Sequence, residues 1–137
     1  MDPQASAPTR TTAQQAGDAA ESLVADRLEA GGWRVLGRNV HVGRRELDLV
    51  ALDPGPPARL VVVEVRWRSR REFGLADETV DHRKRRRLRN AIYELVERGH
   101  LPNGTVLPHL PVRLDLVVVE PGSVGPAARI RHHRGVL

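Results

Sequence analysis

The chain has no cysteine. This excludes disulfides and thiolate metal sites, so any metal must be held by oxygen or imidazole ligands, which points to a hard cation if to any. Aromatic residues are scarce: two Trp, one Tyr and one Phe in 137 residues. That is too few for a platform on which successive bases of a single strand would stack, so recognition by shape and backbone is the better expectation for a nucleic-acid partner. No run of about 18 apolar residues occurs, and Met1 to Gln15 is polar, with no hydrophobic segment before a cleavage site. The reading is a cytoplasmic protein without a membrane partner. Residues 1–16 are expected to be disordered or frayed and residues 17–137 to form one domain, the size that a single core supports.

Lysine is nearly absent too. Of 22 Lys and Arg residues only Lys84 is a lysine, leaving 21 arginines and a formal net charge of +5. Such a charge attracts polyanions, and arginine grips phosphate through two donors at once, although a bias toward arginine codons produces the same excess. The basic residues are clustered. Arg66, Arg68, Arg70 and Arg71 form one group, and Arg83, Arg85, Arg86 and Arg87, with Arg89 following, form another. Each is read either as a solvated face or as a grip on a nucleic-acid backbone.

Periodicity supplies the elements. Ala20, Leu23, Val24 and Leu28 repeat at helical intervals before Gly31-Gly32, and Asp18 followed by Glu21 has the spacing of a capping box, with a start several residues earlier left open. An extended pattern runs from Trp33 to Val42, Gly43 turns it, and Glu46 to Leu52 alternates as a strand. The stretch Asp53-Pro54-Gly55-Pro56-Pro57 cannot continue a strand. Leu60 to Val65 is a β-branched run suited to a central strand, with Glu64 inside it. A second helix is expected over about Asp81–Arg98, with Leu88, Ala91, Ile92, Leu95 and Val96 as its apolar stripe, ended by Gly99. Strands at Val112–Val119 and Arg129–His133 complete the pattern. The order implies an α/β domain with a mixed central β-sheet flanked by helices.

Side chains two apart on a strand share a face, so Glu46 pairs in direction with Asp48 and Glu64 with Arg66. If the strands meet through the Pro54–Pro57 turn, Asp48 and Glu64 converge. Converging carboxylates repel and lose hydration, a situation relieved by a cation between them, and oxygen ligands of this kind suit Mg²⁺ or Mn²⁺.

Glu21, Asn39, Glu46-Leu47-Asp48-Leu49, Val63-Glu64-Val65-Arg66, Phe73-Gly74, Lys84, Leu88 and Arg113-Leu114-Asp115 together resemble, in order and spacing, the small bacterial YraN-like family UPF0102. That family is similar to the restriction-endonuclease-like PD-(D/E)XK nucleases, particularly archaeal Holliday junction resolvases. The resemblance covers roughly Gly17 to Glu120. It implies a three-layer fold, metal held by Asp48 and Glu64, a third acid at Glu21, DNA rather than RNA as partner, and a homodimer. Endonucleolytic hydrolysis of branched or structured DNA is the activity it implies.

Several alternatives stay open. Glu21 serves equally well as half of a capping box, Glu46 as the partner of Arg44 or Arg45, and Trp67 as a wedge beside the site or as packing. Asp115 is read as a structural ion pair with Arg113, and His132-His133 as surface. Two departures from the family pattern bear on chemistry. Arg45 stands where a glycine is usual, and Arg66 stands where the superfamily carries a lysine. Arginine supplies charge, but its pKa above about 12 rules it out as a proton acceptor. Lys84 is either the substitute, delivered from a helix, or one more member of a solvated basic face. The competing function is therefore a catalytically silent nucleic-acid-binding module on the same fold; an interaction protein with a structural acidic pocket is the third.

Overall fold

The computed structural model describes residues 11–68, 81–120 and 128–137. In chain order the elements are α1 (Thr12–Ala30), β1 (Arg34–Val42), β2 (Arg45–Asp53), β3 (Arg59–Trp67), α2 (His82–Arg98), β4 (Val112–Glu120) and β5 (Arg129–His133). The strands lie in sequence order across one five-stranded sheet. Neighbours are antiparallel except β3 and β4, which are parallel because the connection containing α2 carries the chain back between them.

Alternation along the strands gives the sheet two apolar faces, and each takes one helix. Val50, Val62, Leu114, Leu116 and Val118 pack with Leu88, Ala91, Ile92 and Leu95 of α2. Ala51, Val61, Val63, Val117 and Val119 pack on the other side with Ala20, Val24, Ala25 and Leu28 of α1. The domain is thus α/β, with a mixed sheet between two helical layers, the arrangement of a restriction-endonuclease-like fold. No helix among the described residues is long and apolar enough to cross a membrane.

Two helix details differ from expectation. Helix α1 starts at Thr12, and its capping box is Thr11 with Gln14: Gln14 N–H donates to Thr11 Oγ1 at 3.1 Å and Thr11 N–H to Gln14 Oε1 at 2.8 Å. Both Thr11/Gln14 and Asp18/Glu21 have the capping spacing. The earlier pair prevails because Thr12 to Ala16, with two alanines and two glutamines, can propagate a helix. Asp18 and Glu21 therefore lie inside α1, and Glu21 is released from a capping role. In α2, Asp81 caps the start by accepting the Lys84 N–H at 2.9 Å, and Gly99, at φ 75°, ends it in the left-handed region that glycine tolerates. Val96 falls outside the buried stripe and is 46% exposed.

Candidate active site at the fork between two strands

The ladder joining β2 to β3 ends at the partners Leu49 and Val63, and the next pair in register is Asp48 and Glu64. There the strands part. Asp48 Oδ2 accepts the Val65 N–H at 2.8 Å, so a carboxylate takes the backbone donor beside the fork. The alternation of β2 slips at the same point, since Leu47 and Leu49, two apart, lie in different cores. Asp48 and Glu64 occupy the two prongs of the fork. Each helical layer then contributes one side chain: Glu21 from α1 contacts Asp48, and Lys84 from α2 places Nζ 2.7 Å from Glu64 Oε1.

The electrostatics follow from this crowding. Burial, reinforced by the charge of Glu64, pushes the Asp48 carboxyl up to about 8 despite the opposing Val65 N–H. Burial also raises Glu21, helped by Asp18, Glu46 and Glu64, although its hydrogen bond with Asp48 works the other way. Near neutral pH the cluster therefore retains a proton, which a cation among the acids would displace. Among the described residues no group of three or more His, Asp or Glu side chains is placed to hold a metal ion. An open pair of carboxylates nevertheless fits Mg²⁺, which keeps several waters and commonly takes only one or two protein carboxylates.

Asn39 enters as a residue to which the sequence reading gave no role. It lies between the Arg38–Leu49 and Val40–Leu47 partners, beside Asp48 in register, with a left-handed backbone at φ 49°. With its amide nitrogen toward the acids it donates to Glu21 Oε2 at 3.0 Å and to Glu46 Oε1 at 2.8 Å; the reverse orientation would set an oxygen against two carboxylates. Asparagine is among the few residues that adopt this backbone readily, and strained positions cluster at working sites. An asparagine in the middle of a strand, where it is disfavoured, was the available signal.

Two clefts flank the fork. One, of about 590 Å³, includes Glu21, Asn39, Glu46, Arg38 and His41 in its lining. The other, of about 470 Å³, is lined chiefly by Arg45, Glu46, Arg83, Lys84 and Arg87. Glu46 separates an acidic side from a basic one. It pairs with neither Arg44 nor Arg45 but takes Asn39 and approaches His41 Nε2 at 3.9 Å.

The remaining candidates divide. Arg66 is half-buried, two residues beyond Glu64 and opposite Val118 of β4. Arg83, Arg86 and Arg87 are exposed on α2, and Arg85 is half-buried. Arg68, expected to face nucleic acid, is 1% exposed; burial removes it from the basic surface. Arg70, Arg71 and the pair Phe73-Gly74 lie outside the described residues. Trp67 ends β3 at 41% exposure. Arg113 and Asp115 form the expected ion pair, Nε to Oδ1 2.8 Å. His132 is not simply surface: its Nε2 lies 2.8 Å from Asp115 Oδ2, on the same face of the sheet as Trp33.

Comparison with known proteins gives one family. Residues 20–119 match the profile described as the uncharacterised protein family UPF0102. A UPF0102 protein of Methylococcus capsulatus is 42% identical over 113 residues, covering 82% of this chain and 83% of that protein. One of Symbiobacterium thermophilum is 40% identical over 113 residues, 82% of this chain and 87% of its own. A Frankia alni relative is 40% identical over 118 residues, 85% of this chain and 89% of its own.

Proposed function

The chain belongs to the UPF0102 family, and from that premise we propose that it is a metal-dependent endonuclease acting on DNA in the cytoplasm, with branched or structured DNA as its substrate class. The observation that carries the reading is the fork, where two carboxylates converge, a third acid reaches them from α1, and the chain's single lysine stands 2.7 Å from Glu64.

Asp48 and Glu64 would hold Mg²⁺ or Mn²⁺, with Glu21 binding the ion or one of its waters. Such an ion, when bound, lowers the pKa of a coordinated water and neutralises charge building on the phosphodiester. The protein's own contribution is orientation and charge. The Val65 N–H and Glu21 fix Asp48, and Asn39 fixes Glu21. Lys84, steadied by Glu64, offers an ammonium to the attacking water and to the charge that develops on the phosphate, the role the superfamily gives to a lysine on the strand. Arg66 adds positive charge without the capacity to accept a proton. Arg45, Arg83 and Arg87 would grip the backbone on the α2 side of the fork while its phosphate meets the acids. A homodimer would offer two such sites to a branched substrate.

Arg66 is the observation that favours the second reading, a binding module that has lost turnover with the strand lysine. One assay decides between them: incubation with branched, single-stranded and duplex DNA, with and without Mg²⁺ or Mn²⁺. Cleavage of a DNA substrate only in the presence of metal is expected. Binding without cleavage of any substrate would leave the silent module, and neither binding nor cleavage would remove both readings.

A further inference from the structure

At the other end of β2 and β3, away from the fork, a second group of cations surrounds Trp33. Five residues separate Asp48 from Asp53 along β2, about 17 Å at about 3.4 Å per residue, so the two places are distinct. The group is built on Asp115, which is fully buried. This one carboxylate accepts Arg113 Nε at 2.8 Å and Arg113 Nη2 at 3.0 Å, meets His132 Nε2 at 2.8 Å, and accepts the Gly135 N–H at 3.0 Å. The Val136 N–H bonds to the Leu114 carbonyl at 2.8 Å. The C-terminal segment is thereby tied to the sheet, and Arg134 is held over Trp33 instead of trailing into solvent. Its guanidinium carbon lies 5.6 Å from the ring centroid, as does that of Arg113.

Trp33, Arg113 and Arg134 line one open cleft of about 540 Å³, together with Arg59 and the turn Pro54–Pro57. Asp53 lines it too, but its charge is committed: Oδ1 accepts the Gly55 N–H at 2.9 Å and Oδ2 accepts Arg113 Nη2 at 2.9 Å. Arg134 reaches that second oxygen only at 3.9 Å and is 60% exposed. Arg59 donates to the Ala58 carbonyl at 3.0 Å and has no carboxylate partner among the described residues. Three guanidiniums thus meet one carboxylate in the lining, and two of them, Arg59 and Arg134, have no carboxylate at hydrogen-bonding distance among the described residues. A network serving stability alone would end with its cations neutralised, as Arg113 is. Two like charges converging on one cleft are relieved by an anion between them, and the planar forks of arginine match phosphate oxygens in pairs.

We propose that this cleft is a phosphate-binding site, independent of the acid fork, in which Arg59 and Arg134 are the ligand-gripping residues and Asp115 with Arg113 holds Trp33 and Arg134 in place. Two guanidiniums lie over the Trp33 ring, which is itself only 9% exposed, so the ligand is recognised through its phosphate and not by base stacking on the indole. A phosphodiester of a nucleic-acid chain and a free nucleotide share this chemistry.

The test reads Trp33 directly. In a full-length Trp67→Phe protein Trp33 is the only tryptophan, and its fluorescence is titrated in EDTA with inorganic phosphate, with AMP and with a short duplex DNA. A saturable change is expected, weakened about tenfold by Arg134→Gln or Arg59→Gln and unchanged when Asp48→Asn and Glu64→Gln are added. Saturation by phosphate or AMP assigns a small-molecule source, and saturation by DNA alone assigns a backbone contact. No saturable change with any probe, or the same affinity in both arginine variants, overturns the proposal. Because metal is absent and the fork is disabled in one arm, the outcome does not depend on the nuclease reading.

Discussion

Lys84 on the first turn of α2 and Glu64 in the middle strand of the sheet meet at 2.7 Å, so the chain's one lysine is fixed to the carboxylate two residues before Arg66, where the proposed nuclease reading would expect a lysine. If Lys84 has taken that role, Lys84→Ala should lower cleavage by about 10²–10³-fold, the usual effect of removing one electrostatic contributor to a transition state. DNA affinity should change little. Arg66→Lys in the Lys84→Ala protein should restore turnover, and Lys84→Arg separates charge from proton transfer, because it retains only the former. Wild-type cleavage in Lys84→Ala would leave Lys84 as a structural partner of Glu64 only.

Asp48 predicts an unusual dependence of stability on pH. Unfolded, its carboxyl ionises near pH 4; folded and free of metal, it keeps its proton up to about 8. A carboxyl raised by folding takes stability away as pH climbs between those values. Asp48→Asn, which retains an oxygen for the Val65 N–H, should therefore melt a few degrees above wild type at pH 8 and close to it at pH 4. Calorimetry on the same protein should show Mn²⁺ binding weakened or lost, as should Glu64→Gln. Unchanged Mn²⁺ affinity in both variants would exclude the fork as the metal site.

The Asp115 hub predicts the opposite sign. Burial alone would raise its carboxyl, but His132, Arg113 and the Gly135 N–H outweigh that and hold it below the ordinary range; Asp53 is lowered likewise by Gly55 and Arg113 against burial. Depressed carboxyls contribute stability that is present above their unfolded pKa, near 4, and lost as pH falls through the lower folded values. Asp115→Asn should cost about 1–3 kcal/mol at pH 7, since it takes from Arg113 one of its two carboxylates, leaving Asp53, and weakens the buried bonds to His132 and the Gly135 N–H. The gap should narrow at pH 3. Urea unfolding at the two pH values measures it, and an equal loss at both would show that shape, not charge, is the source.

DNA affinity should be chiefly electrostatic. Log K is expected to fall linearly with log salt at about −0.9 per phosphate neutralised on a duplex. Arg83→Ala with Arg87→Ala, both in the cleft beside Lys84, should flatten the slope by about 1.8 and weaken different base sequences alike. A slope unchanged by the pair would place the DNA elsewhere.

Much of this architecture was legible because its signals are local. The β-branched run at Leu60–Val65, the turn residues at Gly43 and Pro54–Pro57, and the stripe from Leu88 to Leu95 fix β2, β3 and α2. The convergence of Asp48 with Glu64 followed from strand parity and one antiparallel pairing. Most of what escaped depends on tertiary context. Thr11/Gln14 and Asp18/Glu21 look alike as caps, and the choice falls to the helix propensity of Thr12 to Ala16, a weak signal which a short apolar repeat starting at Ala20 does not reveal. The burial of Arg68 and the attachment of His132 to Asp115 arise from the β3–β4–β5 pairing, which no short window of sequence contains. Lys84 was legible in part: it sits in a run of arginines that reads as solvated, yet it lies four residues before Leu88, in line with the apolar stripe, and the seating of α2 on the sheet brings it to Glu64.

The single parallel pairing, β3 with β4, divides the assembly of the molecule in time. Strands β1, β2 and β3 form a meander with short connections, so Asp48 and Glu64 come together through contacts close in sequence. The β3–β4 pairing must first close the whole segment between Trp67 and Val112, and longer closures carry the larger entropic cost. Val50→Ala should accordingly slow folding, whereas Leu88→Ala should act mainly by speeding unfolding; the reverse pattern in stopped-flow chevrons would contradict this order. By that order the acids would belong to an early-forming hairpin and the lysine to a helix that docks late. On that order Lys84→Ala should leave the folding rate close to wild type and act, if at all, on the unfolding rate.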